Sequence, residues 1–277
     1  MPTHIFSADR RVALVTGVSR RAGIGFAIAE RLLADGMAVF ATGWAPHDAE
    51  MPWGRDPGGE AALRQALAGG DAFAYEPADL VDPLASAALV DATVERFGAV
   101  DILVANHARS SHQDLDAVSV EELDRCWAVN ARSSVLLTQA FARRHDDRRP
   151  HGRIVLFTSG QHIAPMAAEV AYALSKGAVH QITGSLADHL ADRGITVNCV
   201  NPGPTETGYA TPENARRVAR LFPAGRWGRP EDVAELVAWL VSPNAAWITG
   251  QVLNSEGGFR RWVKLGPERA GEEGRTR

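Results

Sequence analysis

Short apolar runs alternate along the chain with longer stretches in which apolar positions recur every three to four residues. The short runs read as strands buried on both faces, and the three-to-four spacing reads as helices with one face on a core. Strands are expected at Val12–Thr16, Met37–Thr42, Ala72–Tyr75, Asp101–Ala105, Arg153–Thr158, Ile195–Val200 and Gln251–Asn254. Helices are expected at Ile24–Ala34, where Ile28 and Leu32 share a face, at Pro83–Phe97 with proline in the first turn, and at Ser119–His145, Val170–Asp192 and Pro230–Leu240. Ser119 followed by Glu122 has the form of a capping box. Residues 44–59, rich in Pro, Gly and acidic side chains, read as a long surface loop. Strand–helix alternation with short connections gives an α/β fold: one doubly wound parallel sheet with helices on both faces. No internal repeat or interdomain linker interrupts it, so residues 1–259 are expected to form one domain and the polar residues 260–277 a flexible tail.

Composition narrows the class of protein. The chain has 277 residues, 45% of them apolar and 22% charged, which is enough to bury a core around a pocket. A net charge of −4 gives no basic surface for nucleic acid or an anionic membrane, and no apolar run is long enough to span a bilayer. Met1–Arg11 holds no apolar stretch of the signal-peptide kind. The two cysteines, Cys126 and Cys199, lack metal-ligand spacing, so no metal site is expected. Both read as reduced thiols of a cytoplasmic protein.

Between the first strand and the first helix lies Thr16-Gly17-Val18-Ser19-Arg20-Arg21-Ala22-Gly23-Ile24-Gly25. Glycines there let the backbone come close to a phosphate, and a helix N-terminus presents free N–H groups to it. That context is Rossmann-like and points to a bound dinucleotide; the alternative is a turn that uses glycine only for strand–helix packing. The spacing is Gly-x5-Gly-x-Gly, wider than the Gly-x-Gly-x-x-Gly of the common dinucleotide fingerprint.

Tyr172 and Lys176 stand four residues apart at the start of the helix after the fifth strand, which puts them on one helix face. A phenol near pKa 10 is a poor acid–base group at neutral pH, and an adjacent ammonium is expected to lower that value. The chain has only two lysines, Lys176 and Lys264, so a lysine at this position stands out. Ser159, thirteen residues before Tyr172, closes the fifth strand at the sheet edge where α/β proteins bind ligands, within reach of a substrate carbonyl.

From about Arg11 to Phe259 the sequence resembles the short-chain dehydrogenase/reductase family. The family's catalytic set falls on Asn130, Ser159, Tyr172 and Lys176. The resemblance implies cofactor contacts from Gly17, Ser19, Arg20, Arg21, Gly23, Ile24 and Gly25 in the turn, although the turn carries two residues more than the family's Thr-Gly-x3-Gly-x-Gly. It implies further contacts from Asp79 and Leu80 near the adenine, from Asn106, Tyr172, Lys176, Pro202 and Gly203, and from Thr207 at the nicotinamide carboxamide. The family's Asn-Asn-Ala-Gly appears as Ala105-Asn106-His107-Ala108, with His107 in the alanine position. His107 is read either as altering the fit of cofactor and substrate or as a partly buried histidine satisfied by backbone.

The expected activity is interconversion of a carbonyl and an alcohol by hydride transfer, with Tyr172 as general acid/base; a 3-oxoacyl-type or other ketone reductase fits. The four-residue Tyr–Lys gap argues against enoyl reduction, where related folds use a longer one. NADP is the expected cofactor, with NAD possible: no acid follows the second strand in Ala41-Thr42-Gly43-Trp44, and Arg20 and Arg21 offer charge to a 2′-phosphate. The alternatives are an NAD-dependent alcohol dehydrogenase and a non-catalytic dinucleotide-sensing protein. Substrate-lining residues are expected at His107, Arg109, Gln161, His162, Met166 and Tyr209. The resemblance also implies a homotetramer or homodimer, paired through the two long helices by Leu136, Leu137, Phe141, Ile182 and Leu186.

Overall fold

The computed structural model describes residues 10–149 and 152–263. Its strands are β1 (Val12–Thr16), β2 (Ala38–Thr42), β3 (Phe73–Tyr75), β4 (Ile102–Ala105), β5 (Arg153–Phe157), β6 (Thr196–Asn201) and β7 (Val252–Asn254). They form one sheet in the order β3-β2-β1-β4-β5-β6-β7, and every pair is parallel. The order reverses between β1 and β4, so the crevice beyond their C-terminal ends, at Gly17 and Asn106, is the topological switch point where such sheets take ligands.

Successive residues of each strand feed opposite layers. Leu14, Leu103, Ile154 and Leu156 pack against α4 (Ala85–Phe97), α6 (Ser133–Arg144) and α7 (Val170–Leu190). Val15, Val39, Val104 and Val155 pack against α1 (Ile24–Ala34), α3 (Gly59–Leu67) and α9 (Pro230–Val241). Burial on both faces explains why the strands read as unbroken apolar runs. Each fully buried leucine or phenylalanine of these layers contributes about 1.5–3 kcal/mol.

Several elements differ from the sequence reading. The segment expected to be a surface loop holds a short helix, α2 (Ala45–Glu50), and two buried aspartates, Asp48 and Asp56. α3 and a further helix, α8 (Pro212–Ala219), were not expected; Thr211 caps α8 by accepting the Asn214 N–H. α4 begins two residues after Pro83, because the Asp82 carboxylate accepts the Leu84 N–H and holds a turn there. Ser119 does cap α5 (Val120–Cys126), accepting the Glu122 N–H at 3.2 Å. The reciprocal half of the box is absent: Glu122 turns to the Arg109 guanidinium with both oxygens at 2.9 Å, a charge-assisted fork stronger than one backbone contact.

The long helix after β4 is not regular. A π turn at Trp127–Arg132 joins α5 to α6, and Asn130 lies in it. Leu137 and Phe141 are buried in the chain's own core, whereas Trp127, Val135 and Leu174 are exposed. The expected tail begins inside the described residues: Arg260 donates its N–H to the Leu221 carbonyl, and residues 264–277 lie outside them. Among the described residues no helix is long and apolar enough to cross a membrane.

Candidate active site

Two adjoining cavities occupy the switch-point crevice, of about 430 and 440 Å³. They share Gly17, Ser19, His47, Asp48, Asn106 and Ala108 as walls. The first extends past Gly43 to Asp79 and Leu80; the second past Arg20, Gly23 and Ile24 to Ser159, Tyr172, Lys176, Pro202, Gly203 and Thr207. Two joined cavities of this size suit a two-part ligand such as a dinucleotide.

The floor is made of backbone. Gly17 has φ +75°, and a Cβ there would stand 2.7 Å from Asn106 Nδ2 and 2.9 Å from the His107 backbone. A side chain on Gly25 would collide with the Gly17 carbonyl oxygen, and one on Gly43 would meet the Val18 oxygen at 2.6 Å. Asn106 donates to the Thr16 and Gly17 carbonyls at 3.3 and 3.4 Å, tying the end of β4 to the turn. α1 carries no acidic residue in its first turn and no side-chain cap, so its N-terminal amides remain available to a phosphate. A glycine cradle of this kind fits a pyrophosphate.

The two extra residues of the turn are fixed from outside it. Asp56 accepts the Arg21 backbone N–H at 2.9 Å and its Nε–H at 3.1 Å, and pairs with the guanidinium at 2.9 Å. Burial works to raise the Asp56 carboxyl, but the contacts to Arg21 and the Gly58 amide outweigh it and hold the group below its ordinary range. Arg21 is therefore already neutralised by a carboxylate. Arg20 donates to the Thr207 carbonyl and lies 5.8 Å from the centre of the Trp53 ring.

Tyr172 and Lys176 come from the first two turns of α7, with Ser159 just past β5. The Ser159 side chain lies beside the phenol and acts to lower its pKa. Lys176 is 2% exposed; its ammonium donates to the Phe157 carbonyl at 3.0 Å and lies 5.9 Å from the Tyr172 ring centre. Burial pushes the phenol up to about 12, against the pull of Ser159, and lowers the lysine to about 8. The expected drop in the tyrosine does not occur here, because desolvation outweighs the other influences and the ammonium faces Phe157.

Asn130 is fully buried. Its Oδ1 accepts the Arg109 N–H at 2.7 Å, and its Nδ2 donates to the Arg109 carbonyl at 3.1 Å and to Ser175 Oγ at 2.8 Å. Ser175 in turn donates to the Tyr172 carbonyl at 2.8 Å, so the π turn is fastened to the helix that carries the tyrosine. π turns of this kind recur at functional sites.

Of the six residues expected to line the substrate region, Met166 and Tyr209 are walls of the cavity that holds Tyr172. Four are not. His107 is turned inward, with Nε2 at 2.9 Å from the Val129 carbonyl and Nδ1 at 2.6 Å from Thr16 Oγ1. A carbonyl only accepts, so Nε2 carries the proton and Nδ1 accepts from the threonine. Burial, helped by the charge of Lys176, lowers this imidazole to about 3 and keeps it neutral. Arg109 is committed to Glu122 and faces the other cavity. Gln161 folds back to accept the Ser159 N–H and donate to Thr158, and His162 bonds the Ser159 carbonyl and Asn254.

Other walls of the reaction cavity were not anticipated: Trp53, Ser110, His112, Glu169 and Arg261. Burial raises the Glu169 carboxyl, with His112 at 3.8 Å opposing. Arg261 pairs with Glu256 and covers Gly160, where any Cβ would strike its guanidinium. The first residues past 259 thus belong to the site rather than to a tail.

Comparison with known proteins agrees with this architecture. A family model described as "Enoyl-(Acyl carrier protein) reductase" matches residues 17–260. An uncharacterized oxidoreductase of Bacillus subtilis, YjdA, is 38% identical over 255 residues, covering 92% of this chain and 98% of that protein. A solved short-chain dehydrogenase/reductase from Serratia marcescens superposes with a TM-score of 0.77 at 35% identity, covering 93% of this chain and 100% of the other. A blue fluorescent protein from a metagenomic library, solved in complex with NADPH, gives a TM-score of 0.79 at 32% identity, covering 90% and 97% of the two chains. The chain belongs to the short-chain dehydrogenase/reductase family and is an oxidoreductase of that family.

Proposed function

We propose that the protein interconverts a ketone or aldehyde and its alcohol, with a nicotinamide dinucleotide as partner in hydride transfer. The observation that carries this reading is the convergence of Ser159, Tyr172 and the buried Lys176 in the wall of one cavity, at the end of a glycine-cradled cleft. The dinucleotide, when bound, supplies or accepts the hydride. In the reducing direction the Ser159 hydroxyl and the Tyr172 phenol hold the carbonyl oxygen, and the phenol passes its proton to that oxygen as the carbon is reduced. The Lys176 ammonium stabilises the resulting phenolate, and the Asn130–Ser175 contacts keep α7 in position for that exchange. Oxidation of the alcohol runs the same transfers backwards. The four-residue interval between Tyr172 and Lys176 favours a carbonyl over an enoyl substrate.

The case for NADP(H) rested on Arg20, Arg21 and the missing acid after β2. The pairing of Arg21 with Asp56 and the turn of Arg20 toward Thr207 leave that case with less support than the sequence alone offered. Either dinucleotide is therefore compatible with the cleft, and the choice turns on Asp48. A homotetramer or homodimer is proposed through the α5–α7 side, where Trp127, Val135 and Leu174 are exposed. The two free, buried cysteines are consistent with a cytoplasmic setting.

The test is Tyr172→Phe, which removes one oxygen and leaves the ring. Turnover of a responsive carbonyl substrate is expected to fall at least about 100-fold, the scale for losing a general acid, with dinucleotide affinity within a few-fold of the parent. A variant that binds dinucleotide and turns over like the parent refutes the assignment.

A further inference from the structure

Asp48 is a buried carboxylate left half satisfied. It is 8% exposed and lines both cavities, beside Gly17 and Ser19 of the phosphate-binding turn. Its Oδ1 accepts the Trp53 indole N–H at 3.0 Å, while its Oδ2 is buried without a partner. Buried carboxylate oxygens are normally hydrogen-bonded, and an unpartnered one in a ligand cleft implies a donor that the ligand brings.

The residue arrives by an unusual route. β2 ends at Thr42 and the chain runs on through Gly43 and Trp44, with no acid where the sheet meets the cleft. α2 then carries the chain back over the crevice. His47 accepts the Ser110 N–H across it at 3.2 Å, and Trp53 meets the Tyr209 ring edge-on at 6.4 Å. Asp56 anchors the far end of the segment to Arg21. Both flanks being fixed, Asp48 is held against the turn.

No lysine or arginine pairs with Asp48 among the described residues. Arg21 is neutralised by Asp56, Arg20 reaches the Thr207 carbonyl, and burial together with Arg109 lowers His47 toward its neutral form. Asp48 thus presents to the cleft a negative charge that no cation pairs with directly, with Arg20 and Arg125 standing elsewhere in the cavity walls. A sugar hydroxyl donates to such a group, and a phosphate ester there is repelled by it.

We propose that Asp48 sets the cofactor choice: its Oδ2 accepts a hydroxyl of the adenosine-side ribose, so the protein prefers NAD(H) and disfavours the 2′-phosphate of NADP(H). The assignment rests on the dinucleotide-dependent reading above, and binding measurements separate the two. NADH and NADPH are titrated into the full-length protein by calorimetry, for the wild type, Asp48→Asn and Trp53→Phe. The wild type is expected to bind NADH at least about tenfold more tightly than NADPH, as a clash of charges at one contact requires. Asp48→Asn keeps the side-chain volume and removes the charge, and it should reduce that ratio about tenfold. Trp53→Phe removes the protein donor to the carboxylate but not its charge, and NADH should remain the tighter ligand.

Equal or tighter wild-type binding of NADPH overturns the proposal, and needs no variant to fold. A ratio unchanged by Asp48→Asn overturns it as well, while leaving the oxidoreductase reading intact. Failure of the wild type to bind either dinucleotide overturns both.

Discussion

Thr16 and His107 hydrogen-bond across the switch point, Oγ1 to Nδ1 at 2.6 Å, and so join the ends of the two strands between which the cleft opens. In the neutral imidazole Nδ1 accepts the threonine hydroxyl. Burial holds this histidine at about 3, against 6.5 when exposed. Between those values the unfolded chain takes up a proton that the folded chain refuses. The contribution is therefore complete above pH 6.5 and is lost as pH falls toward 3, at about 1.4 kcal/mol per pH unit. Urea denaturation at pH 6.5 and pH 5 should show the wild type losing about 2 kcal/mol more than His107→Ala. Parallel losses in the two proteins would refute the assignment.

Lys176 gives the reaction a pH limit. The lysine is held at about 8 and the phenol at about 12, so in reduction the first group to change charge as pH rises is the ammonium. Carbonyl reduction should be level below about pH 8 and decline above it, while alcohol oxidation, which needs the phenolate, should rise with pH. Lys176→Met should remove the break near pH 8 along with most of the turnover. A reductive profile level from pH 7 to 10 in the wild type would count against the lysine's role.

Asp56 matters to the glycine turn although it lies outside it. Asp56→Ala releases the Arg21 backbone N–H and guanidinium together, so the turn loses its preorganisation. Affinity for a dinucleotide should drop several-fold, with the maximal turnover little changed. Calorimetric titration decides this, and undiminished affinity would show that the turn holds its shape unaided.

Arg261→Ala should act on substrate rather than cofactor, because the guanidinium borders Ser159 through Gly160 and faces the cavity of Tyr172. Loss of one charge-assisted contact predicts a KM roughly tenfold higher for a responsive carbonyl substrate, with dinucleotide affinity preserved. An unchanged KM would mean that Arg261 only closes the wall.

The sheet was legible because parallel strands buried on both faces leave plain apolar runs, such as Val12–Thr16. The Tyr172–Lys176 pair was legible because four-residue spacing on a helix fixes neighbours without tertiary information. What stayed hidden depends on distant partners. α2 is six residues long with Pro46 in its first turn, too short to show a period. Nothing local marks Asp48 as buried, since Trp53 and the turn cover it. Arg261 reads as tail because the glycine it covers, Gly160, lies about a hundred residues earlier, beyond β5. The inward turn of His107 depends on Val129, Thr16 and Ser133, none of them adjacent in sequence.

The π turn at Trp127–Arg132 amounts to one residue more than a regular helix would hold. Each residue of an α-helix advances the chain by about 100° around its axis. Deleting one residue from that turn would make the helix regular and would rotate α5 against α6 by that angle. Asn130 would then point away from Ser175 and Arg109, and Cys126 and Glu122 would swing with it. A single-codon deletion within this helix would therefore uncouple the cleft from α7 while leaving the sheet untouched.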